Sequence, residues 1–240
     1  MSWRKAVVIG ASGGIGRALV TRLRAGENGR TVLALSRTTA TFPAPIATGQ
    51  IDLADEDSIR AAAAFAAEDG TPVDLILVAS GRLHGPGIAP EKALKALEVS
   101  AMADLFAINA IGPALVAKHF VPLLPRTGRC VFAALSARVG SIGDNRLGGW
   151  YSYRASKAAL NQILRTLAIE VARTRPEAIV VGLHPGTVTT ALSDPFHPDT
   201  DRPGVFPPDE AAANLLAVLD GLSPADTGGI FAWDGQPVPP

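Results

Sequence analysis

The chain has 240 residues, 48% of them hydrophobic, and its 22 Lys+Arg balance 22 Asp+Glu to a formal net charge of zero. That balance excludes a strongly basic nucleic-acid or anionic-lipid surface. The single cysteine, Cys130, excludes an intrachain disulfide framework and a multi-cysteine zinc site.

In chain order, a strand is expected over residues 6–10, where Ala-Val-Val-Ile is uninterruptedly apolar, and a helix over 14–24. Strands over 31–36 and 47–52 follow, then a helix over 55–68 whose Asp55, Glu56 and Asp57 complement the positive end of its dipole. A strand over 73–80 precedes a helix over 101–124, and a strand over 130–135 precedes a helix over 152–173. In the latter, Ala155, Ala159, Ile163, Leu167 and Val171 recur at near-helical spacing. A strand over 179–183, a helix over 209–219 and a short strand over 230–233 complete the series.

Apolar runs alternating with helices specify a parallel sheet, and continuous rather than alternating apolar runs specify strands covered on both faces. The expected fold class is therefore α/β and doubly wound. Between 193 and 208, Pro195, Pro198, Pro203, Pro207 and Pro208 argue against regular structure, and a loop of that length reads as a substrate lid over about 190–208. No uninterrupted apolar run approaches the roughly 18 residues of a membrane helix, and residues 6–11 are too short for a signal peptide. The expectation is a cytoplasmic protein without membrane or nucleic-acid partners.

The segment Val7-Val-Ile-Gly-Ala-Ser-Gly-Gly-Ile-Gly16 ends the first strand and opens the first helix. Glycines lacking Cβ let a phosphate approach the backbone, and the free N–H groups and dipole of the helix attract a pyrophosphate. Gly10, Ser12, Gly14, Ile15 and Gly16 are the candidate contacts. The second strand ends in Ser36-Arg37, where such a fold meets the adenosine ribose. An acid there would repel a 2′-phosphate, whereas the fork of Arg37 can bond one, which favours NADP(H) over NAD(H).

Tyr153 and Lys157 stand four residues apart on one helix face. A nearby ammonium favours phenolate, so the pair suits proton transfer. Together with the glycine turn, this Y-x-x-x-K resembles the short-chain dehydrogenase/reductase family over essentially the whole chain. The resemblance implies one Rossmann-type domain over 1–240, with about seven parallel strands and helices on both faces. It implies that Tyr153 exchanges the proton at the substrate oxygen, and that Lys157 binds the nicotinamide ribose and lowers the tyrosine pKa. Asn109 matches the asparagine supporting a proton-relay water. Pro185, Gly186, Val188 and Thr189 resemble the P-G-x-x-x-T segment closing over the nicotinamide, and Asp52 and Leu53 match the adenine contacts.

The stretch 140–149, the run Tyr153-Arg-Ala-Ser-Lys-Ala-Ala-Leu-Asn161 and the late Asp234-Gly235 resemble the C-factor-like branch, which includes NADPH-linked carbonyl reductases. Three positions depart from the family. Ile9 replaces a threonine, and Val78-Ala79-Ser80-Gly81 replaces N-N-A-G, with Ala79, Ser80 and Gly81 kept as cofactor contacts. The serine that hydrogen-bonds the substrate oxygen falls on Ala137. Ser136 is the preferred substitute, provided that the strand twists it inward, and Ser141 is the other.

The resemblance implies an NADP-dependent oxidoreductase acting on a small carbonyl or alcohol, in a homodimer or other homo-oligomer paired through the helices over 101–124 and 152–173. The alternative is a catalytically weak NADP-binding sensor on the same fold. Trp150, Phe196, Val205 and Phe206 are expected to form an apolar pocket. His84, His119, His184 and His197 lack metal-ligand spacing, and no metal site is expected. Cys130 reads as an inert core thiol.

Overall fold

Uninterrupted apolar runs become strands here because both of their faces meet helices. In the computed structural model, which describes residues 3–26, 30–38, 40–196 and 205–240, β1 (Lys5–Ile9) turns Val7 and Ile9 to one core and Ala6 and Val8 to another. Strand β4 (Leu75–Val78) divides in the same way, with Ile76 and Val78 on the first side and Leu75 and Leu77 on the second. Each such fully buried Ile or Leu contributes roughly 1.5–3 kcal/mol. Ile9, in the position of the family's threonine, is fully buried among these apolar groups.

The remaining strands of this sheet are β2 (Thr31–Ser36), β3 (Ala47–Gln50), β5 (Cys130–Leu135), β6 (Ala178–His184) and β9 (Ile230–Ala232). All pair in parallel, in the order β3-β2-β1-β4-β5-β6-β9. The expected doubly wound, seven-stranded Rossmann-type sheet is present. The order reverses between β1 and β4, and an α/β sheet opens a ligand crevice at such a point, outside the carboxyl ends of the strands.

Helices α1 (Gly14–Ala25) and α6 (Pro208–Gly221) cover one face. The other is covered by α2 (Glu56–Ala67), α4 (Gly112–Phe120) and α5 (Tyr151–Ala172). Asp55 is the N-cap of α2 rather than its first helical residue, its carboxylate accepting the Asp57 N–H at 3.0 Å. Strand and helix ends otherwise differ from expectation by one or two residues.

Three expectations need correction. The helix over 101–124 begins earlier, as α3 (Val99–Phe106), and passes through a π turn, Ala107–Ile111, into α4. Pro113 has no N–H, so the Asn109 carbonyl lacks its i+4 donor and the turn widens at that point. The run Val99–Leu123 is also long and apolar enough, by length and composition, to cross a membrane. Asp104, Asn109 and Lys118 divide it, so no uninterrupted apolar stretch of that length stands in the sequence. In the fold it lies on the sheet, with Val116 and Phe120 fully buried in the core.

The third correction concerns the proline-rich segment. β8 (Val205–Phe206) pairs with β7 (Thr187–Val188), so the segment is not wholly irregular, and Pro208 occupies the first turn of α6, where a missing N–H costs nothing. Ala191 to Phe196 form turns, while 197–204, with His197, Pro198 and Pro203 and the middle of the expected lid, lie outside the described residues.

Candidate active site

The glycine turn is fixed by close backbone packing. Gly10 has φ +89°, and its N–H and that of Ala11 donate to the Leu35 carbonyl at 2.8 and 3.0 Å, tying the turn to the end of β2. A Cβ on Gly10 would stand 2.7–2.9 Å from Ser80 and Ala79, and one on Gly16 only 2.1 Å from the Gly10 carbonyl oxygen. The start of α1 has no acidic residue and no side-chain cap, which leaves its first N–H groups to an anion. This is a cradle that side chains would fill, and it fits a dinucleotide pyrophosphate.

From the turn a cleft of about 390 Å³ runs past Ser12, Ser36 and Arg37 to Asp52 and Leu53, with Ala79, Ser80 and Gly81 as its other wall. Ser36 is buried, its hydroxyl donating to the Thr38 carbonyl at 2.7 Å. The exposed guanidinium of Arg37 is engaged by none of the described residues. The Asp52 carboxylate accepts the Ala54 N–H at 3.0 Å. A second hollow of about 200 Å³ continues along Gly14, Ile15, Ser80 and Gly81 to Tyr153, Lys157 and Pro185.

Helix α5 starts under tension of a specific kind. Trp150 has φ +53°, a conformation costly for a bulky side chain, and it is held there by Glu91, whose carbonyl accepts the Trp150 N–H at 2.5 Å. The buried Glu91 carboxylate accepts the Ser152 N–H at 3.2 Å and also the Ser152 hydroxyl. One turn on, Tyr153 and Lys157 are both buried, and the Lys157 ammonium donates to the Leu135 carbonyl at 2.7 Å.

The Lys157 Nζ lies 5.9 Å from the centre of the Tyr153 ring. Burial pushes the Tyr153 phenol up to about 12 and the Lys157 ammonium down to about 8. The cause in both is desolvation, which disfavours the charged form of each.

Asn109 is fully buried on the π turn. Its Oδ1 accepts the Arg82 N–H at 2.8 Å, and its Nδ2 donates to the Arg82 carbonyl at 2.8 Å and to Ser156 Oγ at 3.1 Å. The side chain therefore splints the loop after β4 to α5.

Against Tyr153 opens a third cavity, of about 170 Å³, whose walls include Leu83, Trp150, Phe196 and Val188. Trp150 packs edge-on against both Tyr153 and Phe196, at centroid distances of 6.2 and 5.3 Å. Of the aromatic residues expected in the pocket, Phe206 instead packs on Trp233, at 4.6 Å.

The structure gives the expected inward swing of Ser136 no support. Ser136 borders the cavity, but its hydroxyl donates to Asn161 Oδ1 at 2.5 Å, on the side covered by α5. Ser141 is buried, donating to the Pro240 carbonyl and accepting the Asp144 N–H.

Gly186, Pro185 and Val188 border the third cavity as expected, whereas Thr189 does not border these hollows. Its N–H donates to the Phe206 carbonyl at 2.9 Å across the β7–β8 pair, and Thr190 takes the place over α1, its Cγ2 2.7 Å from where a Cβ on Gly14 would be. Counting P-G-x-x-x-T from Pro185 gives Thr190, so the signal was present in the spacing. Glu91 had no such signal, because only the fold brings it to α5.

A family model described as short chain dehydrogenase matches residues 4–201. The C-signal protein of Myxococcus xanthus is 36% identical over 148 residues, covering 61% of this chain and 83% of that protein. The 1-hydroxy-2-glutathionyl-2-methyl-3-butene dehydrogenase of Rhodococcus sp. strain AD45 is 30% identical over 185 residues, covering 77% of this chain and 76% of that protein. Among solved structures, the NADPH-bound carbonyl reductase from chicken fatty liver superposes with a TM-score of 0.86 at 27% identity, covering 98% of this chain and 94% of that one.

Proposed function

Because the chain belongs to the short-chain dehydrogenase family and is an oxidoreductase of the C=O/CH–OH pair, we propose that it works as an NADP-dependent carbonyl reductase with Tyr153 as proton donor. The observation that carries this reading is a buried phenol, with the Lys157 ammonium beside it, at the junction of a dinucleotide cleft and a small cavity walled by apolar groups. When bound, NADPH supplies the hydride to the carbonyl carbon.

The Tyr153 O–H breaks as the new O–H forms on the substrate oxygen. With a pKa of about 12 the phenol is neutral at physiological pH, the form that can donate a proton to a carbonyl oxygen. Lys157, anchored on the Leu135 carbonyl, would hold the nicotinamide ribose with its remaining N–H groups, and its ammonium favours the tyrosinate as it forms. Asn109, on the π turn, holds the water that returns a proton to the site. Trp150 and Phe196 select a carbonyl flanked by apolar groups.

A purified sample given NADPH with benzaldehyde, acetophenone and diacetyl tests the proposal, with loss of nicotinamide absorbance expected for at least one. Absence of turnover on the whole panel would favour a second reading, a catalytically weak NADP-binding sensor, which Ala137 in the serine position supports.

Arg37 in the cleft wall supports the phosphorylated cofactor form, and NADPH is expected to bind about tenfold more tightly than NADH. Arg37→Asp should close or reverse that gap in calorimetric titrations, and equal wild-type affinities would refute the assignment. Pairing of two copies through α4 and α5 accords with the groove of about 730 Å³ between them and with the exposed Ile111 and Ile169. Light scattering at micromolar concentration should give twice the 24.8 kDa chain mass.

A further inference from the structure

Ala137 leaves the third cavity without the hydroxyl that the family uses to hold the substrate oxygen, and Ser136 and Ser141 direct their own hydroxyl hydrogens elsewhere. A carbonyl oxygen gains negative charge as hydride arrives, so a site with one donor, Tyr153, forgoes a second interaction that strengthens in the transition state.

Of the polar side chains bordering that cavity, the hydroxyls of Thr187 and Thr190 and the imidazole of His184 have no partner among the described residues, and of these three only the imidazole has an enclosed atom left unpaired. His184 ends β6, and because Leu135 pairs with Leu183 and the Ser136 N–H donates to the Leu183 carbonyl at 2.8 Å, it stands level with Ser136 and next to Ala137 across the strand pair. His184, Ala137 and Tyr153 border the same cavity. Its imidazole makes no hydrogen bond with any described residue, and Nδ1 is enclosed without a partner. Nε2 is not enclosed.

That asymmetry fixes the tautomer. An enclosed N–H without an acceptor is rarer and costlier than an enclosed lone pair, so the proton belongs on Nε2. Burial and the Arg138 guanidinium, opposed by Asp234, push the ring down to about 4, which keeps it neutral at physiological pH. A neutral ring with its hydrogen on Nε2 is a hydrogen-bond donor and not a competing acid.

We infer that His184 Nε2–H takes over the task of the absent serine, donating the second hydrogen bond to the carbonyl oxygen that Tyr153 protonates. This rests on the carbonyl-reductase reading given above. It adds a catalytic residue and explains why a chain with alanine at position 137 keeps Tyr153, Lys157 and Asn109 in place.

The test compares wild type, His184→Phe, Ala137→Ser and the double variant, with NADPH affinity followed by fluorescence. His184→Phe is expected to lower kcat by about 10²-fold, as removal of one such donor does, with NADPH affinity within twofold of wild type. Adding Ala137→Ser to that variant should restore at least tenfold. Wild-type turnover in His184→Phe would overturn the inference. So would a loss that Ala137→Ser does not relieve, since the histidine would then act only by packing.

Nitrogen-resolved NMR of the imidazole, on the NADP-bound protein with and without benzaldehyde, separates this inference from the reading beneath it. If no carbonyl is reduced, the reductase reading fails. An Nε2–H tautomer that shifts with benzaldehyde would still uphold the donor site, whereas an Nδ1–H tautomer or an unmoved ring would overturn it.

Discussion

Tyr153→Phe is expected to lower kcat by about 10²- to 10⁴-fold, the range for loss of a positioned proton donor, while NADPH affinity and the melting temperature stay close to wild type. The substitution removes one oxygen and leaves the ring against Trp150 and inside α5. Lys157 does not depend on that oxygen for its position, because its ammonium is anchored on the Leu135 carbonyl. Parallel turnover and fluorescence titrations check the separation of rate from binding, and undiminished turnover in the variant would remove Tyr153 from the mechanism.

The alkaline limb of the wild-type profile belongs to Lys157. Its ammonium is lost as pH rises through about 8, so kcat/KM should decline there, well before the phenol ionises. Stability moves the other way. The ordinary lysine pKa is 10.5 and the folded value about 8, so between them the unfolded chain binds more protons and the fold gains stability as pH rises.

Gly16→Ala should cost more in structure than any other single methyl group added near the cleft. The new Cβ would lie 2.1 Å from the Gly10 carbonyl oxygen and 2.8 Å from its carbon, both backbone atoms that cannot turn aside. Relief requires α1 to move away from the turn, where the Gly10 and Ala11 N–H groups bond the Leu35 carbonyl. Overpacking of this kind costs about 1–3 kcal/mol, and displacement of the helix N-terminus from the phosphate position should weaken NADPH binding more than tenfold. Denaturant melts and titrations read the two effects independently. A variant as stable as wild type with unchanged affinity would show that the turn is not held as tightly as its contacts require.

Much of this was legible in the sequence because it depends on local rules. Runs such as Leu75–Val78 have one reading when helices cover both sheet faces, and Gly10 to Gly16 encode a tight turn in consecutive residues. What escaped depends on neighbours, whether four residues along a helix or across the fold. The π turn requires knowing that Pro113 removes the partner of Asn109 inside a helix that otherwise continues, and the short β8 strand exists only because β7 is beside it. Ser136 illustrates the same limit: strand alternation placed it on the α5 side, and only the position of Asn161 settles where its hydroxyl goes. The pKa order of Tyr153 and Lys157 likewise follows from burial, which spacing along a helix does not report.

The anchoring of Trp150 by Glu91 also has an optical consequence. The chain holds three tryptophans, of which Trp3 precedes β1 at the far end of the sheet beneath the Arg129 guanidinium, 4.8 Å from its ring centre, and Trp233 packs on Phe206. Only Trp150 sits between Tyr153 and Phe196 in the wall of the third cavity. Its backbone is tied to the Glu91 carbonyl and its indole is packed edge-on between two rings, so it emits from the wall of the cavity against Tyr153. Contact quenching of this one residue therefore reports a small molecule entering the cavity against Tyr153, and a Trp150→Phe variant isolates its share of the emission.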